Sequence, residues 1–207
     1  MSYEVHVLSN GYSVDEQNHM LANCTCTLIL GPINIIVDTM TSWDKEVILN
    51  GLAKHKLTPS DINYVICTHG HSDHIGNNNL FLESKLIVGF CVSFKNKYEY
   101  FPFKEGKEFI INDNIKVIPT PGHTLQDVTV IVTTDDDVIA ITGDLFEKEE
   151  DIENPSLWLS SGSDDPKLQK YHRRQIIDMS TYIIPGHGPK FKVTDKQRAI
   201  IDLSSDA

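Results

Sequence analysis

The chain predicts an α/β layered domain, with sheets inside and helices outside. Three observations carry that expectation. Apolar runs of strand length alternate with segments of helical spacing over all 207 residues. The composition, 40% apolar and 23% charged, is that of a globular protein with an ample core. Five of the expected strands end on a His or an Asp: Asp38 after "NIIV", His69 after "YVICT", His123 after "VIPTPG", Asp144 after "VIAITG" and His187 after "YIIPG". Sites in layered α/β proteins form from loops at strand ends, so these five residues point to one site. Residues 1–207 read as a single domain, with no repeat at a solenoid period.

Each element has its own signal. "EVHVLS" (4–9) and "CTCTLILGPINIIVD" (24–38), with a Gly-Pro turn inside the second, read as strands of a hairpin or meander. "TSWDKEVILNGLAKHKL" (41–57) has helical spacing, with Ser42 as the expected N-cap. "INYVICTHG" is a buried strand, "HIGNNNLFLES" a short helix and "KLIVGF" a further strand. "EFIINDNIKVIPTPGH" reads as a hairpin turning at Asn112-Asp113-Asn114, and "DVTVIVTTDDDVIAITGD" as another turning at Asp135-Asp136-Asp137. "PKLQKYHRRQIIDM" is a helix, "TYIIPGHG" a strand, and "TDKQRAIIDLSS" a last helix begun by Thr194.

Charge and cysteine usage narrow the function classes. A formal charge of −11 weighs against a generic basic nucleic-acid face, although a local basic patch or bound metal ions would still attract a phosphate. The opening "MSYEVHVLSNGYSVDEQ" has neither a basic n-region nor an apolar h-region, so neither secretion nor membrane insertion is expected. Cys24, Cys26, Cys67 and Cys91 form no CxxC pair and read as reduced, packed thiols of a cytosolic or nuclear protein.

The stretch "ICTHGHSDHIGN" is the strongest chemical signal. His69, His71, Asp73 and His74 fall within six positions, straight after an apolar run. Such density leaves polar groups competing for few partners unless a cation lies among them. Isolated histidines (His6, His19, His55 and His172) read instead as surface or satisfied core residues. Imidazole and carboxylate suit zinc and iron alike. The donor set exceeds what one tetrahedral ion uses and suits two ions roughly 3.5–4 Å apart.

His-x-His-x-Asp-His, then a Gly-His-Thr, a lone Asp at a strand end and a late Gly-His-Gly together resemble the metallo-β-lactamase superfamily, from Asp38 to His187. The resemblance implies a four-layer αβ/βα sandwich with its metal site at the rim between two sheets. It implies two zinc ions, with iron or manganese as further options. His69, His71 and His123 would hold the first, Asp73, His74 and His187 the second, with Asp144 bridging. Asp73 would also orient the attacking water and take its proton, as the catalytic residue. Asp38 would orient a ligand His through its other ring nitrogen.

The bridging position narrows the branch. An Asp there matches the glyoxalase II-like and nuclease-like members rather than true β-lactamases. With about twenty residues after His187 and some forty between Asp144 and His187, neither a helical glutathione domain nor a large nuclease insertion is expected, nor a long tRNA-binding arm. "CTHGHSDHIGN", "PTPGHTLQDVTVIV", "GDLFE" and "PGHGPKFKV" resemble a compact branch of the superfamily. That likeness implies a metal-dependent endoribonuclease acting on the 3′ ends of histone pre-messenger RNA, a homodimer, and a place in cytosol and nucleus.

Candidate substrate contacts come from composition alone. "LSSGSDDP" (159–166) is a polar stretch in which Ser160, Ser161 and Gly162 are candidates for a phosphate. "KLQKYHRRQ" holds the densest basic patch, with Lys167, Lys170, Arg173 and Arg174 as candidates for single-stranded RNA. "FKNKYEYFPFKEG" mixes aromatics with lysines and suits burial or a dimer partner more than base stacking. Three further function classes stay open. These are a glyoxalase II-like thioester or lactone hydrolase, a one-iron enzyme like the persulfide dioxygenases, and a non-catalytic binding protein.

Overall fold

The central strands are buried on both faces, and that decides the architecture. The computed structural model describes residues 2–205. The first half of the chain runs β1 (Glu4–Ser9), β2 (Tyr12–Glu16), β3 (His19–Asn23), β4 (Cys26–Leu30), β5 (Ile35–Val37), α1 (Lys45–Lys54), β6 (Tyr64–Cys67), β7 (Lys85–Val88), β8 (Cys91–Phe94) and β9 (Lys97–Tyr98). The second half continues with β10 (Phe109–Asn112), β11 (Ile115–Pro119), β12 (Val128–Thr133), β13 (Val138–Gly143), α2 (Ser156–Ser160), α3 (Pro166–Met179), β14 (Tyr182–Pro185), β15 (Phe191–Lys192) and α4 (Asp195–Ser205). Among the described residues, one sheet has the order β1-β4-β5-β6-β7-β8-β9, a second β10-β11-β12-β13-β14-β15, and β2-β3 form a separate hairpin.

Side-chain alternation assigns the layers. In β12, Val128, Val130 and Val132 join a core that also holds Ile35, Val37, Ile66 and Ile87 of the first sheet. Ile131, pointing the other way, packs with Ile176 and Ile177 of α3 and Ile201 of α4. Likewise Ile66 of β6 faces the second sheet, while Val65 and Cys67 face Ile48 and Leu52 of α1. The two sheets therefore pack face to face, with helices outside both, in the four layers expected from the sequence. Two-sided burial explains why these strands read as continuous apolar runs. The strands that deliver the site are parallel pairs, β5–β6 and β13–β14, whose C-terminal ends reach the same rim. There the sheets are stitched together: Val128 N donates to Thr68 O (2.9 Å), and Thr25 N to Gly186 O (2.7 Å).

Several expected details differ. Helix α1 starts after Asp44 rather than Ser42, because the Asp44 carboxylate is engaged by Thr41 Oγ1 and Asn23 Nδ2. "HIGNNNLFLES" holds only a 3₁₀ turn at Asn78–Leu80. Asn77 Nδ2 donates to the carbonyls of Thr39 (2.8 Å) and Thr41 (2.6 Å), which ties this segment to the β5–α1 loop instead of letting it wind. The β2–β3 hairpin, β8, β9 and α2 were not expected. The start of α4 was: Thr194 Oγ1 accepts from Gln197 N (3.3 Å) and Gln197 Oε1 from Thr194 N (2.9 Å), a reciprocal cap.

Candidate metal centre

Five imidazoles converge at the rim, and four of them have the outer ring nitrogen tied to the protein. His74 Nδ1 lies 3.1 Å from Asp38 Oδ2. His69 Nδ1 is 3.2 Å from Thr68 Oγ1. His123 Nδ1 is 2.8 Å from Gly162 O. His187 Nδ1 sits 3.0 Å from Asn23 O and 3.2 Å from Tyr12 O. These four rings thus present Nε2 inward, whereas His71 presents Nδ1, 2.8 Å from His69 Nε2 and 3.2 Å from His123 Nε2. Tying the outer nitrogen fixes tautomer and ring orientation, as ligand histidines require.

Asp144 stands between two groups of donors. Its Oδ2 is 3.5 Å from His69 Nε2, 3.3 Å from His123 Nε2 and 3.3 Å from His187 Nε2. Its Oδ1 is 3.3 Å from His74 Nε2. On the other flank, Asp73 Oδ2 lies 3.8 Å from both His74 Nε2 and His187 Nε2. Donor atoms of His69, His71, His123 and Asp144 lie within 4.8 Å of one another, and so do those of Asp73, His74 and His187.

The residues fit divalent cations. His74 Nε2 and Asp144 Oδ1 are buried with no hydrogen-bond partner among the described residues. Buried polar atoms are otherwise almost always satisfied. The 3.3–3.5 Å separations around Asp144 match the edge of a tetrahedron built on metal–ligand bonds of about 2.0–2.2 Å. The fields point the same way. Burial alone would lower His74, but the carboxylates of Asp144 and Asp38 outweigh it and hold the ring well above its ordinary value. Burial would raise Asp144, yet His74, His187 and His69 hold it well below the usual carboxylate range. Burial also opposes protonation of His187, but Asp144 carries it up to about 9. His69 is pushed well down by burial and then by His74, and His71 down by burial and then by His123.

Local geometry delivers the donors. Asp38 adopts a left-handed φ of 57°, which turns its carboxylate onto Thr68 N (2.8 Å) and His74. Strained backbone of this kind persists where surroundings over-determine it. A side chain at Gly186 would run into Asp144 Oδ1, and one at Gly122 into the backbone of α3 at Gln169. Gln169 Nε2 in turn donates to Asp144 O (3.0 Å). Asp127 accepts from Thr124 N (2.6 Å) and Thr124 Oγ1 (2.7 Å), closing the turn after His123, while His172 Nδ1 lies 2.8 Å from Pro121 O. Thr68, Asp127, Gln169 and His172 were not singled out as site residues by the sequence reading. Only "GHTLQD", with an Asp after a Gly-His-Thr, offered a local signal for any of them.

The substrate candidates fare differently. Arg173 is buried and pairs with Asp151 (Nη2 to Oδ1 2.5 Å, Nη1 to Oδ2 3.1 Å), while Nη1 also donates to Leu145 O (2.8 Å). It is therefore no phosphate contact. It falls on the buried stripe Gln169, His172, Arg173, Ile176, Ile177, the spacing of a helix face turned inward. Lys170 and Lys167 line an apolar cavity of about 370 Å³ with Trp158 and Ile152, among no metal-ligand candidate. Arg174 is exposed, 3.9 Å from Asp178 one turn on. Ser160 and Ser161 donate to Leu157 O (3.2 and 2.9 Å) and border a cavity of about 230 Å³ between the β2–β3 hairpin and α2. Glu147 and Lys148 line the same cavity. The Gly162 carbonyl is engaged by His123 Nδ1 (2.8 Å).

A four-layer sandwich with a histidine–aspartate rim around a shared carboxylate defines a metal-dependent hydrolase. The sequence profile of the metallo-beta-lactamase superfamily matches residues 21–187, and the chain belongs to that superfamily. It is 37% identical over 195 residues to metallo-beta-lactamase domain-containing protein 1 of Xenopus laevis, covering 92% of this chain and 82% of that protein. The human protein of the same name is also 37% identical, over 167 residues, and is covered over 60% of its length against 79% of this chain. An N-acyl homoserine lactonase of a Bacillus species is 27% identical over 138 residues, 58% of this chain and 52% of the lactonase. Among solved structures, a probable metal-dependent hydrolase from Staphylococcus aureus shares the fold at a TM-score of 0.72 and 17% identity, over 94% of each chain. No helix among the described residues is long and apolar enough to cross a membrane.

Proposed function

We propose that the chain is a dinuclear zinc hydrolase that cleaves phosphodiester bonds of single-stranded RNA, histone pre-messenger RNA 3′ ends being the substrate its branch resemblance implies. The observation that carries the dinuclear reading is Asp144, whose two oxygens lie 3.3–3.5 Å from imidazole nitrogens of both donor groups. His69, His71 and His123 would hold one cation and Asp73, His74 and His187 the other. Cations so held would act as Lewis acids and lower the pKa of a water from 15.7 to about 7.

The chain's own residues do the rest. Asp73 is the most open of the carboxylates among the donor groups, its side chain 19% exposed against 5% for Asp144. That exposure supports a role in orienting the attacking water and accepting its proton. Attack on phosphorus forms one P–O bond and breaks the bond to the leaving oxygen, which then takes a proton. The sandwich rim keeps the reacting groups beside buried dipoles, where one well-placed donor is worth about 3–4 kcal/mol.

A second reading, hydrolysis of a small thioester or lactone, is favoured by two observations. The chain carries −11, and the one buried arginine of α3 is committed to Asp151. The lactonase likeness supports the same class. One experiment separates them: metal content of the purified protein, paired with cleavage of labelled single-stranded RNA before and after chelation. Two zincs with chelator-sensitive cutting that His69→Ala abolishes is the expected result. Two zincs with no cutting, but turnover of a lactone or thioester, overturns the RNA reading. A single iron with oxygen consumption overturns hydrolysis.

A further inference from the structure

Glu147 is a buried carboxylate that the reading above does not use. It lies three residues beyond Asp144, in "GDLFE", at 2% exposure. Its backbone is fully occupied: N donates to Asp151 Oδ2 (2.8 Å), and O accepts from His187 N (2.8 Å). Its side chain is not. Oε2 lies 4.0 Å from His187 Nε2, and Oε1 has no partner among the described residues. Arg173 does not neutralise it, because its guanidinium is committed to Asp151. Two acidic side chains, Asp144 and Glu147, thus sit with His187 so that their donor atoms lie within 4.8 Å of one another. Burying a carboxylate beside another without a cation is costly.

Resting on the two-cation reading, we propose that Glu147 is a further donor to the second cation, so that the two subsites differ in kind. The first offers three imidazoles and a shared carboxylate, a four-donor set suited to tetrahedral zinc. The second offers His74, His187, Asp73, the shared Asp144 and Glu147, richer in oxygen and higher in donor number. Such a set shifts preference toward ions that accept octahedral oxygen-rich surroundings, with Mn²⁺ the natural probe. Asp144 is common to both donor groups, but the imidazole nitrogen 4.0 Å from Glu147 Oε2 is that of His187, a donor of the second group, which assigns the extra carboxylate to this subsite.

The test reads metal affinity without any substrate. Protein loaded with zinc, and separately with zinc followed by Mn²⁺, is challenged with graded chelator while released metal is followed by absorbance and Mn²⁺ by electron paramagnetic resonance. Glu147→Gln, nearly the same shape, is expected to weaken the more labile ion at least tenfold, more for Mn²⁺ than for Zn²⁺, and to leave the tighter ion unchanged. Glu147→Asp, which keeps the charge one methylene back, is expected to recover part of the loss and guards against a mere folding defect in the amide. Release curves for Glu147→Gln that superimpose on wild type for both metals overturn the proposal. So does equal weakening of both ions, since that marks a structural role. If no RNA is cut yet the labile ion is lost in Glu147→Gln, the substrate reading fails and this one stands.

Discussion

The metal rim and helix α3 are both dense in charge along the sequence, and they use it in opposite ways. At the rim, residues far apart in the chain meet because each stands at the end of a buried strand. His69, His123, Asp144 and His187 come from four separate segments, yet their donor atoms lie within a few ångströms. On α3 the cations are close in sequence and diverge in space. Arg173 turns inward onto Asp151, with its guanidinium over Phe146 (4.1 Å) and Trp158 (5.2 Å), while Arg174 faces solvent beside Asp178. A turn of 100° per residue scatters neighbours on a helix, whereas parallel strands gather their ends at one edge. Density of charge marks a site only where topology makes it converge.

Two substitutions break that contrast hardest. Asp144→Ala removes the group that stands between both donor groups, so bound metal should fall from the two ions proposed to one or none. Hydrolysis should drop about a hundred- to a thousandfold, the scale of losing a principal electrostatic group. Elemental analysis beside a rate measurement checks it, and full activity with two ions retained would sink the shared-carboxylate account. Arg173→Ala leaves Asp151 buried and unpaired and should cost about 3–5 kcal/mol in denaturant unfolding. Arg174→Ala, its neighbour in sequence, should move stability by about 0.5 kcal/mol or less. Equal effects at the two positions would show that the inward and outward faces of α3 have been misassigned.

What the sequence made legible follows from the same physics. Strands buried on both faces announce themselves as apolar runs, so β4, β5, β6, β12, β13 and β14 were expected close to where they lie. The β2–β3 hairpin escaped because it has no buried face: Tyr12, Val14, Met20 and Leu21 are 43–52% exposed, and "YSVDEQNHMLAN" carries no core alternation. The ligand candidates were legible because histidine in numbers after a strand is hard to explain otherwise. Their supports were not, since Thr68, Gln169 and Gly162 act through ordinary hydroxyl, amide and carbonyl groups that any loop contains. Arg173 was open to inspection. Its place between Gln169 and Ile177 on the i, i+3, i+4 stripe marks it as inward-facing, a signal that weighing charge alone passes over.

A gentler probe tests how far the rim depends on its outer hydrogen bonds. Asp38→Asn keeps the size and the left-handed backbone tolerance but removes the charge facing His74 Nδ1. Loss of such an orienting carboxylate typically lowers metal affinity about 10–100-fold. The loss should fall on the ion held by His74 and spare the ion held by His69, His71 and His123. Chelator competition on the loaded protein distinguishes the two, and an unchanged affinity for both would show that Thr68 and packing alone hold the ring.

The smallest effect is the pH dependence of the rim. In the fold, burial disfavours the charged ring of His187, but Asp144 raises it to about 9, and His74 is raised as well. A group raised above its ordinary value of about 6.5 contributes stability that is fully present below that value and fades as pH rises through about 9. A cation needs the same nitrogens unprotonated, so metal affinity runs the other way. It should weaken about tenfold per pH unit, for each proton displaced, as pH falls from 9 toward 6.5. Stability of protein stripped of metal should decline over the same interval, and stability of loaded protein should not. Thermal unfolding of the protein with and without zinc, from pH 6.5 to 9, measures both slopes together. A metal-free slope of zero would mean that the imidazoles and Asp144 do not share charge at the rim as their 3.3 Å separations require.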